Sequence, residues 1–342
     1  MQSKPHSLYK RVLGYAIGLA IIAMMIGLVY KDFTWADVFR EYNKLNLSWI
    51  GVIVIITIIC HLVRAFRWKR LLNASGETPT LFGVAQAMML GYFANIIFLR
   101  AGEVTRCFTL QKTDNTPVLK TAGSVFTERL SDLIFLFLFT FLAITFNYES
   151  IWPFVDEKFL IPAQEQLGPK FSSIAIKLLI AAFAIGGLLV MAFAKRIIAK
   201  LKGKLQVAAT QIWRGITGIL NGKFFFKFLL ESVAIWVFYY FMTYLWFKAF
   251  EPGNHISMLQ GFAIVAIGNL ARTVPLQAGA AGVYHGAMLL VFVFYGMNET
   301  EGRFLALAIH ALQTGFYLVF GLVFGVTYII QLRRQDKDRL DV

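Results

Sequence analysis

The feature that most narrows the folds open to this chain is a set of apolar runs near residues 12–30, 47–63, 120–146, 173–194, 225–250 and 303–330. Each is long enough to cross a hydrocarbon layer of roughly 30 Å as a helix. Lipid offers backbone groups no hydrogen bonds, so spanning runs must satisfy their own, as α-helices do. Of the 342 residues, 58% are hydrophobic and 15% charged. The polar stretches in between, about 64–80, 147–172 and 195–224, are too short to build an independent core. The expectation is an all-α polytopic membrane protein, a single transmembrane domain over residues 1–342, with no separate soluble catalytic domain.

The formal net charge of +14 does not point to nucleic acid, because the basic residues flank apolar runs instead of forming a patch on a soluble fold. Lys195, Arg196, Lys200, Lys202, Lys204, Arg214, Lys223 and Lys227 share one connection, 195–224 and its edge, that has no acidic residue. Arg64, Arg67, Lys69 and Arg70 follow the second run. The positive-inside rule reads both as cytoplasmic loops and the acidic stretch 147–172 as external. Lys4, Lys10 and Arg11 precede the first run, which lacks a clear cleavage site and reads as a retained helix. Cys60 and Cys107 are too few for a disulfide framework, and Cys60-His61 has no second pair to complete a metal site, so no metal or cofactor is expected.

Two regions, about 82–112 and 258–297, are apolar but broken. Gly91, Ala94, Leu99, Ala101 and Gly102 align without a gap on Gly268, Ala271, Leu276, Ala278 and Gly279. Interruptions at matching places in two halves point to a transport site in a repeat-built membrane protein. If the broken regions crossed fully, the eight-cation connection and the basic stretch 64–70 would lie on opposite sides of the membrane. If each dips in and returns, every basic loop becomes cytoplasmic, together with Arg333, Arg334, Lys337 and Arg339. The expectation is therefore about six transmembrane helices plus two re-entrant hairpins in an inverted-topology repeat. The first half would run 47–146 and the second 225–330, with both termini cytoplasmic in a bacterial-type inner membrane. Between the first two spans, Trp35, Val38, Phe39, Tyr42 and Leu45 recur at helical spacing, with Asp37, Arg40, Glu41 and Lys44 on other faces. They predict an interfacial helix.

Charges in or beside these segments are the sharpest functional signal. Arg100, Glu103, Arg106, Glu128, Arg129, Asp132 and Arg272 would each cost about 2.5 to 3.5 kcal/mol at the bilayer centre, so they must face one another or water. Ser124, Glu128 and Asp132 lie at i, i+4 and i+8 on one helix stripe, with Arg129 about 100° away. Glu128 or Asp132 is expected to meet Arg100 or Arg106. Four arginines against three carboxylates leave one positive charge, suited to an anionic head group. In the second half, Asn269, Arg272, Gln277 and His285 are the polar positions, and Pro275, Gly279 and Gly282 are expected to prevent regular helix, as Gly102 breaks the first hairpin. Asn95, Asn269 and Gln277 join Arg100, Arg106, Arg129 and Arg272 as candidate substrate ligands. Glu103, Glu128, Asp132, His285 and His310 are candidates for charge pairing or proton exchange. His310 reads first as an interhelical hydrogen-bonding residue and second as a relay.

Gly91 to Asn95, Arg100-Ala-Gly-Glu through Arg106, and Glu128-Arg-Leu-Ser-Asp132 together resemble the transmembrane region of lysylphosphatidylglycerol synthases and its stand-alone, flippase-like relatives. The resemblance runs over roughly 10–330. It implies movement of a lipid between leaflets. Bifunctional members carry a cytosolic aminoacyl-transferase domain after the membrane part, and this chain stops at Val342, so the resemblance implies the translocator without the synthase. The second motif departs from the family pattern Pro-x-Pro-Gly-Gly-x-Gly-x-x-Glu, with Gln277 and Ala278 after Pro275 and His285 near the place of the Glu.

The functional expectation is a translocase for an anionic lipid, either a phospholipid derivative or a polyprenyl-phosphate-linked precursor. The pathway would be an arginine-lined cavity where the hairpins meet. A lipid is the expected partner, with a homo-oligomer or a lipid-modifying enzyme as further partners. No nucleotide-binding motif is present, so transport would be passive or ion-coupled. The alternatives are a membrane-embedded glycosyl-, acyl- or aminoacyl-transferase using Glu128 or Asp132 as a base, and a scaffold for such an enzyme.

Overall fold

A computed structural model of the chain describes residues 23–98, 101–149, 222–273 and 277–340, with Ala20, Pro153 and Ile161 as isolated positions. Among the described residues regular structure is helical. After a helical stretch at 23–29 come α1 (Trp35–Tyr42), α2 (Leu47–Ala74), α3 (Leu81–Ile97), α4 (Ala101–Asp114), α5 (Val118–Phe146), α6 (Gly222–Ala249), α7 (Met258–Thr273), α8 (Gln277–Phe294) and α9 (Glu299–Leu340). The starts are chemically marked. The Thr34 hydroxyl accepts from the Asp37 N–H in a capping box, Asn46 Oδ1 accepts from Ser48, and the Thr80 hydroxyl accepts from Gly83.

Four helices are long and apolar enough to cross a membrane: Leu47–Ala74, Val118–Phe146, Phe224–Ala249 and Glu299–Gln335. They correspond to four of the six expected spans. The run at 173–194, most of that at 12–30 and nearly all of the basic connection 195–224 lie outside the described residues. Leu318, Val319, Leu322, Val323 and Val326 on α9 stand exposed, an arrangement that suits lipid and not water. The protein is a helical membrane protein.

The order long helix, two short helices, long helix occurs twice. Gly91 and Gly268 are 177 residues apart, and the same offset carries Leu81 at the start of α3 onto Met258 at the start of α7. It also carries Leu47–Ala74 of α2 nearly onto α6. The short helices pair as hairpins whose open ends lie at opposite ends of the long ones. Thr80 N–H donates to Asp114 Oδ1 at 2.7 Å, closing α3 to α4 beside the end of α2 and the start of α5, where Lys120 pairs with Glu77. At the other end His255 Nε2 meets the Tyr295 carbonyl at 2.7 Å, closing α7 to α8, while Asn46 N–H donates to the Ala249 carbonyl at 2.7 Å.

One expectation about glycine is corrected. Gly279 and Gly282 do not break the second hairpin, because α8 runs through both. A helical glycine costs only about 1 kcal/mol relative to alanine, which packing readily offsets. Gly102 is the second residue of α4, at the returning side of the first hairpin, and serves close approach. A Cβ there would sit 2.4 Å from the Gly91 carbonyl oxygen and 2.5 Å from the Asn95 amide. Gly102→Val is therefore expected to lower stability by about 1 to 3 kcal/mol through overpacking. Thermal unfolding in detergent checks this, and an unchanged midpoint would show that the hairpin tolerates separation.

The α1 helix also forms as expected, with one difference. Trp35, Phe39 and Tyr42 are exposed on one side, while Val38 and Leu45 pack against the protein core. Glu41 is not on an outer face: it is buried and pairs with Lys44 at 2.7 Å, and Lys44 reaches Glu301 on α9 at 3.5 Å.

Candidate functional site

Two adjoining arrangements hold the expected site residues. The first is a buried ion-pair lattice. The stripe on α5 forms as its spacing requires: Ser124 accepts from the Trp68 indole at 2.9 Å, and Glu128 and Asp132 follow toward the helix C-terminus. Arg106 of α4 donates to Glu128 Oε2 at 2.8 Å, the pairing expected from the sequence. The other partners come from a segment whose sequence reads as a basic loop. α2 continues without a break to Ala74, so Arg64 and Arg67 are buried helix residues. Arg64 Nη2 donates to Glu128 Oε1 at 3.0 Å, and Arg67 Nη2 donates to Asp132 Oδ1 at 2.6 Å. Nothing between 64 and 74 stops a helix. Their i, i+3 spacing after an apolar run was the signal that they share a face, and the need of Glu128 and Asp132 for counter-charges was the reason to look there.

The lattice is mostly buried, with Asp132 partly exposed at its edge. Glu128 and Arg67 are fully buried and Arg106 nearly so. The Arg106 guanidinium lies 4.3 Å over the Trp68 ring, and its Nη2 has no hydrogen-bond partner among the described residues. Three arginines share two carboxylates here. Outside it, Arg129 meets Glu103 at 3.3 Å in an open position. Neither of these two lies in the buried lattice. Arg70, also loop-like in sequence, pairs with Glu231 of α6.

The second arrangement is a cavity of about 180 Å³ lined from α2, α6, α7 and α9. Thr57, His61 and Arg64 face it from α2, Tyr239 from α6, Asn269 and Arg272 from α7, and Gln313 from α9. Arg64 therefore belongs to both, donating to the Tyr239 hydroxyl at 2.6 Å. His61 stacks on Phe316 with ring centroids 5.2 Å apart and leaves Nδ1 without a partner among the described residues. Arg272 lies 4.2 Å over the Tyr284 ring and has no carboxylate partner among the described residues. Counting Arg64, Arg67, Arg106, Arg129 and Arg272 against Glu103, Glu128 and Asp132, five arginines face three carboxylates among the described residues, and Arg100, part of the expected count, lies outside them.

The remaining expected ligands fall elsewhere. Asn95 Oδ1 accepts from the Gly102 N–H at 2.7 Å, so it staples the first hairpin and does not reach the cavity. No residue of α3 or α4 lines the cavity, and the hairpin tips at 99–100 and 274–276, expected to meet there, lie outside the described residues. Arg106 turns instead to Glu128. Arg100 and Pro275 lie outside the described residues, as does the side chain of Gln277. His285 and His310 form an interhelical hydrogen bond, Nε2 to Nδ1, at 2.9 Å.

The two halves solve the same packing problem differently. At the shared offset Glu128 corresponds to Leu305 and Arg67 to Tyr244, both buried. The second half thus has an apolar, aromatic core where the first has the ion-pair lattice.

A family model described as the lysylphosphatidylglycerol synthase TM region matches residues 15–321. No curated protein and no solved structure matches the chain.

Proposed function

The chain belongs to the lysylphosphatidylglycerol synthase transmembrane-region family, and from that premise we propose that it is a translocase moving an anionic lipid between leaflets. The supporting observation is Arg272, a guanidinium without a counter-ion among the described residues, on the wall of an intramembrane cavity. A permanently charged planar fork in a low-dielectric site is an anion handle, and a lone one invites a ligand from outside the protein.

The cavity is smaller than the roughly 300 to 1,000 Å³ usual for a whole drug-sized ligand. It suits a phosphate-bearing head group held by Arg272 and Asn269, with the acyl or prenyl chains left in the bilayer where they lose no solvation. Either a phospholipid derivative or a polyprenyl-phosphate-linked precursor fits that description. In this reading the two hairpins are re-entrant from opposite faces and the halves form an inverted repeat, so that exposure of the cavity alternates as they rock. The end carrying Lys69, Lys112, Lys120, Arg333 and Arg334 would be cytoplasmic in an inner membrane, with the exposed Trp35, Phe39 and Tyr42 of α1 at the outer interface.

The test is leaflet exchange of fluorescent phosphatidylglycerol and phosphatidylcholine in proteoliposomes. Faster exchange of the anionic lipid is expected. No exchange of any anionic lipid by a folded protein would end the translocase reading and favour covalent chemistry on a lipid carrier.

A further inference from the structure

The cavity is neighboured by a hydrogen-bonded chain that its anion-binding role does not use. Tyr30 Oη lies 2.8 Å from His285 Nδ1, and His285 Nε2 lies 2.9 Å from His310 Nδ1. Tyr30 Oη also lies 3.2 Å from the Arg303 carbonyl oxygen. Three elements are thereby joined end to end: the segment before α1, the middle of α8 and the middle of α9. Both rings meet edge to face, with centroids 4.9 Å apart.

The tautomers available to such a chain are limited. If Tyr30 donates to Arg303, then His285 Nδ1–H donates to Tyr30, its Nε2 accepts from His310 Nδ1–H, and only His310 Nε2 keeps a free lone pair. If Tyr30 donates to His285 instead, every proton on the chain has moved one link and His285 Nε2–H donates to His310. The structure holds the partners for both settings. A proton added at His310 Nε2 can pass along the chain, because each link is within hydrogen-bond reach. The bridging N···N position holds one proton, so the pair takes up one proton and not two.

The charged and titratable groups around the pair are few. Tyr284 of α8 sits with its ring 5.7 Å from that of His285 and 5.8 Å from that of His310. Arg272 of α7 covers the same Tyr284 ring at 4.2 Å. Arg303 is occupied by Glu299 at 2.6 Å, and no carboxylate pairs with either histidine among the described residues. Arg272 is therefore the fixed charge one ring away from the pair. With its charge bare, a second positive charge on the histidines is disfavoured; with an anion on Arg272 that opposition is removed.

We propose that His285 and His310 form a proton site linked to the anion site at Arg272, so that binding an anionic head group favours uptake of a proton there. The inference rests on the anion role proposed for Arg272. Linkage is reciprocal, so lowering the pH must tighten head-group binding by the same factor that binding favours protonation. The step is a proton binding without electron transfer: the proton comes from water at His310 Nε2 and returns there, and the chain ends at Tyr30, whose hydroxyl meets only His285 and the Arg303 carbonyl among the described residues.

The experiment titrates the purified full chain in detergent with dihexanoylphosphatidylglycerol, by calorimetry at several pH values between about 4 and 7 in buffers of different ionisation enthalpy. For a coupling of about tenfold, the wild type is expected to take up about half a proton per lipid bound at the pH of greatest uptake. His285→Gln and His310→Gln keep a hydrogen-bonding amide and are expected to bind within about threefold of wild type with proton uptake below about 0.2. A merely structural pair would change unfolding temperature and leave the proton count alone. Binding without proton uptake in the wild type, or wild-type uptake in both variants, overturns the linkage while leaving the anion site intact. Failure of the wild type to bind the lipid at all removes the anion site and the linked proton together.

Discussion

Glu128→Ala is expected to leave little folded protein. The Glu128 carboxylate is fully buried and receives Arg64 at 3.0 Å and Arg106 at 2.8 Å, with Arg67 at 3.7 Å. Without it three buried guanidiniums face Asp132 alone, and two lose their main counter-charge. Breaking one buried pair from one side costs about 3 to 5 kcal/mol, because the partner stays charged and unsolvated. Domains of ordinary stability have about 5 to 15 kcal/mol in total. Arginine cannot relieve the strain by losing its proton. Glu128→Gln keeps the shape and loses the charge, so it is expected to fail nearly as badly. Combining it with Arg106→Met should recover part of the loss, since the double change removes a charge from each side. Yield of monodisperse protein and thermal unfolding in detergent measure this cycle. A Glu128→Ala protein as stable as wild type would refute the lattice as a structural element.

Arg272→Ala is expected to do the opposite, leaving stability nearly unchanged while reducing exchange of anionic lipid by about ten- to a hundredfold. It has no counter-ion among the described residues, so its removal strands no buried carboxylate there. A hydrogen bond to a charged group contributes about 1.5 to 3 kcal/mol, which sets that range. Arg272→Lys keeps the charge and loses the planar fork, and should fall between the two. The comparison with Arg64→Ala separates the roles of two arginines on one cavity wall. Arg64 is tied to Glu128 and Tyr239, so its loss should appear first as lower stability. Equal exchange rates for wild type and Arg272→Ala would remove this residue from the pathway.

Much of this architecture was legible because membrane helices are governed by local rules. Length and apolarity alone located the four described spans, and the matching Gly91 and Gly268 motifs gave the offset that the helix starts follow. Glu128 and Asp132 were legible as partners of arginine because a lone buried charge is forbidden by its cost. The expected Arg106–Glu128 pair formed, and what the sequence reading missed was the other two partners. Arg64 and Arg67 look the same in sequence whether they end a helix in water or continue it inside a protein, and hydropathy counts any arginine as a loop signal. Asn95 and Arg106 bond the Gly102 N–H and Glu128, contacts that a local sequence pattern does not distinguish from a place on a ligand site, because polar side chains near a hairpin break serve the break as readily as a substrate.

The sequence by itself determined that the chain is a helical membrane protein and roughly where its four described spans lie, because backbone satisfaction in lipid and the run lengths leave no other choice, while its motifs pointed to the family. Only the tertiary structure decided which arginines neutralise Glu128 and Asp132, which one remains without a partner among the described residues, and that His285 meets His310. Charge pairing and hydrogen bonding depend on distances of a few ångströms between helices far apart in the chain, and no local pattern encodes those distances.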